Sequence, residues 1–461
     1  MATLAYLKQR ADDDWLIGYS SYQFTQMAEQ LYIELTQLWR HGTPPKILLA
    51  EREPVRFLAG FIAACAAGCP VFLCNPNWVR QEWQQVFELV QPDLILGCED
   101  WGSAVRDYYP SPQPPILNPQ LIMIPTSGTS GQIRFAIHTW ETLMASVRGV
   151  QQYFQMNQLN SFCVLPLYHV SGLMQFLRSF TTGGDLVILP LKELEAGQRC
   201  DIDPAKFFIS LVPTQLQRLL QNPGLTKWLS QFQAVLLGGA PAWPTLMEQA
   251  RHHGIRLAPT YGTTETASQI VTLKPEDFLN GTSNCGQVLP HAQVTIRSST
   301  GQLLGANQTG IITIEASSLA LGYYPELFAN PGKLQLDDLG FFDSQGYLNI
   351  VGRNSNKIIT GGENVSPYEI ESVIRATQLV NDVCVIGVPH QQWGQVVTAI
   401  YIPSNLTVTN AELQATLADK LSKYKRPKYW ISVASLPRNS QGKINHKQLL
   451  QIATASLQNS L

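Results

Sequence analysis

Residues 124–139, with the sequence IPTSGTSGQIRFAIHT, place a polar loop between two apolar runs. The stretch contains five hydroxyl residues and two glycines, and Arg134 adds a positive charge. Glycines let the backbone turn closely around a ligand, while successive amides and hydroxyls can form a nest for an anion. The segment therefore predicts a phosphate-binding loop, although an ordinary Ser/Gly loop would fit these residues taken alone.

Two common glycine-rich phosphate loops are excluded by the sequence. The pattern G-x-G occurs nowhere in the chain, so the dinucleotide fingerprint G-x-G-x-x-G is absent. Gly-Lys occurs at 332–333 and 442–443, but position 327 is Leu and position 437 is Pro, so neither completes G-x-x-x-x-G-K. A different kind of nucleotide binder is needed.

Composition limits the class of protein. A chain of 461 residues with 45% hydrophobic and 14% charged residues predicts more than one globular domain with an ample core. The net charge of -2 argues against nucleic acid as a partner and favours small-molecule substrates. The apolar run at 57–73 is broken by glycine and proline, so we expect no integral membrane segment.

Cysteine usage and the N-terminus suggest the compartment. The eight cysteines form no C-x-x-C pair, which is typical of free thiols in a reducing compartment. The first residues reach acidic side chains before any long apolar run, unlike a secretory leader. We therefore expect a cytoplasmic protein.

Alternation of short apolar runs and helix-length segments predicts an α/β fold. Candidate strands lie at 46–50, 71–74, 94–97, 186–190, 207–213 and 234–239, and helix-length segments lie at 25–38 and 78–90. This order predicts a large N-terminal domain with two mostly parallel sheets flanked by helices. Turn-rich segments after residue 294 predict a small antiparallel, barrel-like sheet.

A polar patch after residue 353 marks the predicted domain boundary. We place the N-terminal domain at 1–354 and a small C-terminal α+β domain at 355–461. Within the second domain, helices are expected at 366–376 and 410–423, with apolar strands at 383–389 and 396–403.

Further motifs follow the phosphate loop in a fixed order. They are YGTTET at 261–266, DLG at 338–340, GR at 352–353, GGEN at 361–364 and SQGK at 440–443. Together they resemble the adenylate-forming superfamily of acyl-CoA synthetases, peptide-synthetase adenylation domains and luciferases. The resemblance covers nearly the whole chain and implies a C-terminal domain that acts as a mobile lid.

The resemblance implies roles for individual residues. ATP would be bound by Thr126, Ser127, Gly128, Thr129, Ser130, Gly131, Gly239, Ala240, Pro241, Tyr261, Gly262, Thr263, Asp338 and Arg353. Catalysis would involve Lys443, Arg134, His169, Thr264 and Glu265, with Glu265 also holding Mg²⁺. CoA would pass Gly361 and Gly362, and the lid would turn at Ser355. The carboxylate of Asp338 can only accept hydrogen bonds, which suits the binding of two ribose hydroxyls. A lysine can stabilise the negative charge that accumulates when a carboxylate attacks a phosphate.

Two positions depart from the common pattern of that superfamily. Its phosphate loop usually continues G-x-P-K, whereas residues 131–134 read GQIR, so an arginine replaces the lysine. The charge is kept but the geometry changes. At the hinge, Ser355 replaces an Asp or Lys.

The segment LPLYHVSGLMQFLR at 165–178 bears on the acid that is activated. Ser171, Gln175 and Arg178 fall on one stripe of a predicted helix, which follows His169. An arginine in an apolar segment needs an anionic or hydrogen-bonding partner, which a second carboxylate on the substrate would supply. An internal acid would also serve.

This segment, with residues 210–220 and 261–269, looks most like the o-succinylbenzoate:CoA ligases of menaquinone and phylloquinone synthesis. The resemblance implies that Arg178 neutralises the carboxylate that is not adenylated, that Ser171 donates a hydrogen bond, and that His169 lines the tunnel to CoA. Three alternatives stay open: a ligase for another aryl or acyl acid, an adenylation domain that loads a carrier protein, and a nucleotide-binding homologue that has lost turnover. Homo-oligomerisation is left open too.

Overall fold

The computed structural model describes residues 2–39, 43–97, 120–127, 132–354, 358–360, 363–390, 393–438 and 443–458. Several residues with predicted roles lie outside these ranges: Gly128, Thr129, Ser130, Gly131, Ser355, Gly361 and Gly362.

The largest sheet, which we call the first sheet, is parallel over most of its width. Its strands, in spatial order, are Leu16–Ile17, Leu186–Ile188, Asn160–Cys163, Phe207–Leu211, Ala234–Leu237, Leu257–Thr263, Ser268–Thr272 and Gln287–Val288. The last two strands are added antiparallel. Because the parallel strands are short and apolar, they need helices on both faces.

The second sheet contains the strands on either side of the phosphate loop. Its order is Glu326–Leu327, Gly322–Tyr323, Ile133–His138, Ile122–Ser127, Val71–Leu73, Ile47–Leu49 and Leu94–Leu96. Ile122–Ser127 and Ile133–His138 pair antiparallel, and we call them the phosphate hairpin. The strand Gly322–Tyr323 joins the hairpin edge from a distant part of the sequence.

Helices cover the two large sheets and carry most of the core. Those before residue 355 are Ala2–Gln9, Ser21–Gln37, Pro54–Ala66, Arg80–Val90, Trp140–Phe154, Val170–Thr182, Leu191–Glu195, Pro213–Leu220, Pro223–Leu229, Pro244–His252 and Pro275–Leu279. Short 3₁₀ turns occupy Pro204–Lys206 and Thr264–Thr266. Phe61 of one helix meets Phe176 of another edge to face at 6.3 Å, so the layers of both sheets share one aromatic core.

Local sequence explains where the two central helices begin and end. Glu53 accepts hydrogen bonds from the amides of Val55 and Arg56, and Pro54 takes the first helical position, where its missing amide proton costs nothing. The helix Val170–Thr182 ends at Gly183, whose φ of 79° is the left-handed conformation that glycine accepts readily. The apolar run at 57–73 spans the helix Pro54–Ala66 and the strand Val71–Leu73, so the predicted strand at 71–74 is confirmed.

Two smaller sheets complete the chain. The third sheet is antiparallel, in the order Ala292–Arg297, Gly310–Ala316, Lys333–Phe342 and Leu348–Arg353. The fourth sheet is formed by Glu363–Val365, Ile358–Thr360, Gly394–Pro403, Val380–His390 and Tyr429–Ser432. It packs with the helices Pro367–Arg375, Asn410–Thr416 and His446–Gln458, and a 3₁₀ turn lies at Lys423–Lys425. These elements confirm the predicted α/β class with a small antiparallel sheet and a C-terminal α+β unit.

The predicted helix at 410–423 is shorter in the structure. It ends at Thr416, after which residues 417–420 form turns and the 3₁₀ turn Lys423–Lys425 follows. Leu413, Leu417 and Leu421 are all buried, so an apolar spacing of four persists beyond the last helical residue. Within the described ranges, no helix combines the length and apolarity that crossing a membrane requires.

Candidate active site

The phosphate hairpin places Thr126 and Arg134 directly opposite each other on paired strands. Arg134 is exposed, and its guanidinium lies over the ring of Tyr323, 4.2 Å from the ring centroid. A guanidinium over an aromatic face is held by electrostatic attraction while its donors stay accessible. Arg134, which stands where a lysine is common, therefore has its guanidinium held in a fixed orientation at the edge of the hairpin.

A buried histidine ties this hairpin to the YGTTET segment. His138 donates from Nε2 to the carbonyl of Thr264 at 2.8 Å, and its Nδ1 lies 3.0 Å from Oγ1 of Thr142. Burial lowers the pKa of His138 to about 4, despite opposing effects of the Thr264 carbonyl and Glu265. The imidazole is neutral at physiological pH and fixes the turn that carries Thr264. Sequence reasoning missed His138 because it reads as an ordinary strand residue.

Glu265 is the carboxylate of that turn. The residue is only 8% exposed, and Oε1 accepts a hydrogen bond from the hydroxyl of Tyr323. Mg²⁺ in nucleotide sites is usually held by one or two carboxylates together with phosphate oxygens. A single buried carboxylate beside a phosphate hairpin fits that requirement.

Asp338 connects the first sheet to the third. It is 8% exposed, accepts a hydrogen bond from the hydroxyl of Tyr261 at 2.7 Å and pairs with Nε of Arg353 at 3.2 Å. Asp338 and Arg353 are direct partners across two antiparallel strands. The structure thus brings together three residues that the sequence assigned to one nucleotide.

Lys443 reaches the same cleft from the C-terminal region. Solvent still contacts its side chain, but surrounding protein lowers its pKa, and Arg353 lowers it further, while Glu265 and Asp338 raise it. Lys443 in turn helps to lower the pKa of His169 to about 3, although burial is the larger cause. Lys443 is therefore electrostatically coupled to both predicted carboxylates and to His169.

The hydrogen-bond partners of Arg178 among the described residues are neutral groups. Arg178 is 4% exposed, and Nη2 donates to Oε1 of Gln269 at 3.0 Å and to Oγ of Ser268 at 3.3 Å. Its Nε has no hydrogen-bond partner in the described part of the chain, where no carboxylate lies within salt-bridge distance of it either. Burial alone lowers the pKa of Arg178 to about 10. The alternative of an internal acid partner is wrong for these residues.

The surroundings of Arg178 contain further polar atoms without partners. Neither ring nitrogen of His291, nor Nε2 of Gln269, nor Oε1 of Gln175 has a hydrogen-bond partner among the described residues. Arg178 lowers the pKa of His291, and burial, the larger cause, brings it to about 4. A side chain at Gly149 would overlap His291, since its Cβ would lie 1.8 Å from Nδ1. His291 was missed because its approach to Arg178 depends on tertiary packing.

The remaining predicted residues divide between buried and open positions. Gly239, Ala240 and Pro241 are exposed after the strand Ala234–Leu237, in keeping with a surface that faces a ligand. Gly262 has no space for a side chain, because its Cβ would lie 2.0 Å from the carbonyl oxygen of Ser268. Ser171 is half-buried, and its carbonyl accepts from Nε2 of Gln175 at 2.9 Å.

Comparison with known proteins places the chain among relatives. A family model described as AMP-binding enzyme matches residues 37–324, and one described as AMP-binding enzyme C-terminal domain matches residues 369–443. The chain belongs to the AMP-binding enzyme family. Membership confirms the resemblance to adenylate-forming enzymes and, with the relatives below, the predicted class of AMP-forming acid–thiol ligase.

Relatives of this AMP-binding enzyme include proteins named 2-succinylbenzoate–CoA ligase. The one from Enterococcus faecalis is 34% identical over 339 residues, which cover 72% of this chain and 69% of that protein. The one from Bacillus cereus strain AH820 is 31% identical over 483 residues, covering 97% of this chain and 98% of that protein.

Solved structures resemble the AMP-binding enzyme over almost its full length. ATP-bound MatB from Rhodopseudomonas palustris has a TM-score of 0.82 and 24% identity, with 98% of each chain covered. MenE, an o-succinylbenzoate CoA synthetase from Bacillus subtilis in complex with its acyl-adenylate intermediate, has a TM-score of 0.79 and 24% identity, with 96% of this chain and 97% of that chain covered. These neighbours confirm the fold class.

The neutral state of His138 predicts a pH dependence of stability. The unfolded chain gains a proton on this residue below its ordinary pKa of 6.5, whereas the folded protein does so only below about 4. The free energy of unfolding should therefore fall as pH drops through that window, by up to ~1.4 kcal/mol per pH unit from this group. His138→Gln should remove that part of the slope in urea unfolding between those pH values.

His252→Gln provides the matched control for this measurement. His252 is exposed at the end of the helix Pro244–His252, so its loss should leave the slope unchanged. An identical slope in wild type and His138→Gln would contradict the assignment of a buried neutral imidazole.

Proposed function

We propose that this enzyme is an ATP-dependent o-succinylbenzoate:CoA ligase of menaquinone or phylloquinone biosynthesis. It would convert the acid to an acyl-adenylate with release of pyrophosphate, and then transfer the acyl group to CoA with release of AMP. The observation that carries the choice of acid is Arg178, a buried arginine that is held by neutral groups. Relatives named 2-succinylbenzoate–CoA ligase support the same choice.

Burial of Arg178 without an acid partner is unfavourable for the protein alone. An uncompensated buried charge costs several kcal/mol, and hydrogen bonds to neutral side chains offset only part of that. A substrate with two carboxylates relieves the cost, because one carboxylate is adenylated while the other pairs with Arg178. We propose that Ser171, Gln175 and His169 line the same acyl site.

The first step needs positive charge where two anions meet. We propose that Lys443 lies between the attacking carboxylate and the α-phosphate, with Thr264 beside the latter, while Asp338 and Arg353 hold the ribose. We propose that Arg134 and residues 126–131 surround the outer phosphates. Residues 239–241 and 261–263 would make the remaining contacts with the nucleotide. Mg²⁺ on Glu265 would supply further charge stabilisation to the phosphates. The effect of both carboxylates on the pKa of Lys443 supports these assignments.

The second step needs different surroundings, since a thiol must reach the acyl carbon that Lys443 faced in the first. We propose that the C-terminal domain, residues 355–461, rotates about Ser355 and brings Gly361 and Gly362 to the CoA tunnel. His169 would line this tunnel, because it begins the helix that carries Arg178. Such lid rotations are a common means of separating two half-reactions.

A homologue without turnover is disfavoured by the assembled cleft. Glu265, Asp338 and Arg353 all influence the pKa of Lys443, although the four residues come from three separate parts of the chain. Charges that are collected in one cleft lower the stability of the protein, so there is no physical reason for a site without a function to retain them.

We propose that the substrates are small molecules and that the protein is cytoplasmic.

The function is tested by incubating the enzyme with ATP, Mg²⁺, CoA and either o-succinylbenzoate or benzoate. Mass spectrometry should detect AMP and a thioester with the dicarboxylate and little of either with benzoate. Thioester from benzoate alone would retain the ligase and reject the proposed acid. Absence of AMP with o-succinylbenzoate would reject the proposal.

Arg178→Met should separate substrate recognition from stability. Methionine keeps much of the volume and removes the buried charge, so the free energy of unfolding should be unchanged or higher. The KM for o-succinylbenzoate should rise at least ~10-fold, through loss of a charge-assisted contact, while the KM for ATP changes little. Steady-state kinetics and urea unfolding measure both.

Arg218→Met is a suitable control for that variant. Arg218 forms an ion pair with Glu195, and neither residue has a proposed role in the site, so neither KM should change. Equal KM values for o-succinylbenzoate in wild type and Arg178→Met would show that Arg178 does not bind the acid.

Lys443→Ala should slow the first half-reaction and leave the second largely unchanged. Adenylation, followed by pyrophosphate release, should fall by at least ~100-fold because a preorganised charge at the transferring group is lost. Thioester formation from supplied acyl-adenylate should stay close to wild type, since the lid carries Lys443 away before that step. Lys447→Ala serves as control, because Lys447 is an exposed lysine in the following helix, His446–Gln458. Equal loss of both half-reactions would contradict the assigned role.

A further inference from the structure

The strand Gly322–Tyr323 connects two parts of the cleft that are far apart in sequence. It pairs antiparallel with the phosphate hairpin, with Tyr323 opposite Ala136 and Gly322 opposite Ile137. Arg134 lies two residues before Ala136, so it shares a face of the sheet with Tyr323 as a diagonal neighbour. This register explains why the guanidinium lies over the ring at 4.2 Å.

The hydroxyl of Tyr323 has a different partner from its ring. It donates to Oε1 of Glu265, and Phe328 packs edge to face against the ring at 5.4 Å. Burial raises the pKa of Tyr323, and Glu265 raises it further, so the phenol stays a hydrogen-bond donor. One side chain thus contacts both the exposed cation and the buried carboxylate.

We propose that Tyr323 is a positioning residue that sets the carboxylate of Glu265 for Mg²⁺ and the guanidinium of Arg134 for the outer phosphates of ATP. The inference rests on the ATP and Mg²⁺ site of the proposed function and is independent of the acid. A carboxylate held at one oxygen presents its remaining lone pairs in a fixed direction. Unlike lysine, arginine has a planar head group whose donors all lie in one plane. The ring of Tyr323 supplies a surface that fixes the orientation of this plane.

Two substitutions separate these contributions. Tyr323→Phe removes the hydroxyl and keeps the ring, whereas Tyr323→Leu removes both. Calorimetry measures ATP binding to each variant in excess Mg²⁺ and in EDTA, and a magnesium titration at fixed ATP gives the midpoint for Mg²⁺.

Tyr323→Phe should affect only the magnesium-dependent part of binding. We expect the Mg²⁺ midpoint to rise ~10-fold, in line with loss of a hydrogen bond to a charged group, with ATP affinity in EDTA unchanged. Tyr323→Leu should also weaken binding in EDTA, by about 3-fold, because the cation–π contact with Arg134 is lost. A purely structural role would lower both affinities together.

Tyr324→Phe is the matched control, since the same atom is removed one residue later. Its ring packs on Phe72 at 4.9 Å, so the magnesium midpoint should not change. If wild type and Tyr323→Phe share one midpoint, or if Tyr323→Phe loses affinity equally in EDTA, the inference is overturned while the ATP site stands. If wild type binds no ATP, the proposed function itself fails. Thermal unfolding shows whether the variants are folded. If Tyr323→Leu does not fold, the comparison of wild type with Tyr323→Phe alone tests the inference.

Discussion

The hydrogen bond from Tyr261 to Asp338 joins the first sheet to the third, and the geometry of the cleft depends on this joint. Asp338 lies opposite Arg353 across two strands, so the same carboxylate also fixes the end of the third sheet. A nearly buried acid must have its lone pairs satisfied, which makes this arrangement costly to disturb. Because the chain continues from Arg353 toward the C-terminal region, the joint also constrains where Lys443 can enter.

A neutral tyrosine hydroxyl contacts each of the two cleft carboxylates. Tyr261 donates to Asp338, and Tyr323 donates to Glu265. A neutral donor satisfies a lone pair without cancelling the charge of the acid, unlike an ion pair. Both carboxylates raise the pKa of Lys443, although burial, the largest effect, and Arg353 lower it. A carboxylate that is bound by a neutral donor can still bind a metal ion.

Sequence periodicity predicted most elements of the fold but little of the contacts between them. The buried strands Ile47–Leu49 and Ala234–Leu237 are short apolar runs bounded by turn residues, so local pattern identifies them. The helix that ends at Thr416 has the same apolar spacing beyond its end, which is why its length was overestimated. The strand pairing between residues 136 and 323 depends on tertiary structure, so no local sequence pattern predicts it.

The predicted site residues show the same division. Motifs led to the predicted roles of Glu265, Asp338 and Lys443, because their residue types suit the chemistry of nucleotide binding, and these roles stay predictions. The contacts of Tyr323 and His138 were not found, since both follow from pairing of distant segments.

The surroundings of Arg178 extend this reasoning to the acid. Burial lowers the pKa of Arg178 to about 10, and Arg178 contributes to lowering the pKa of His291 to about 4. Burial is the only cause of the first shift and the largest cause of the second, to which Arg178 and Arg148 add. A carboxylate beside Arg178 would favour the charged arginine and could accept a hydrogen bond from the imidazole. The polar atoms without partners here therefore favour an anionic ligand over an apolar one.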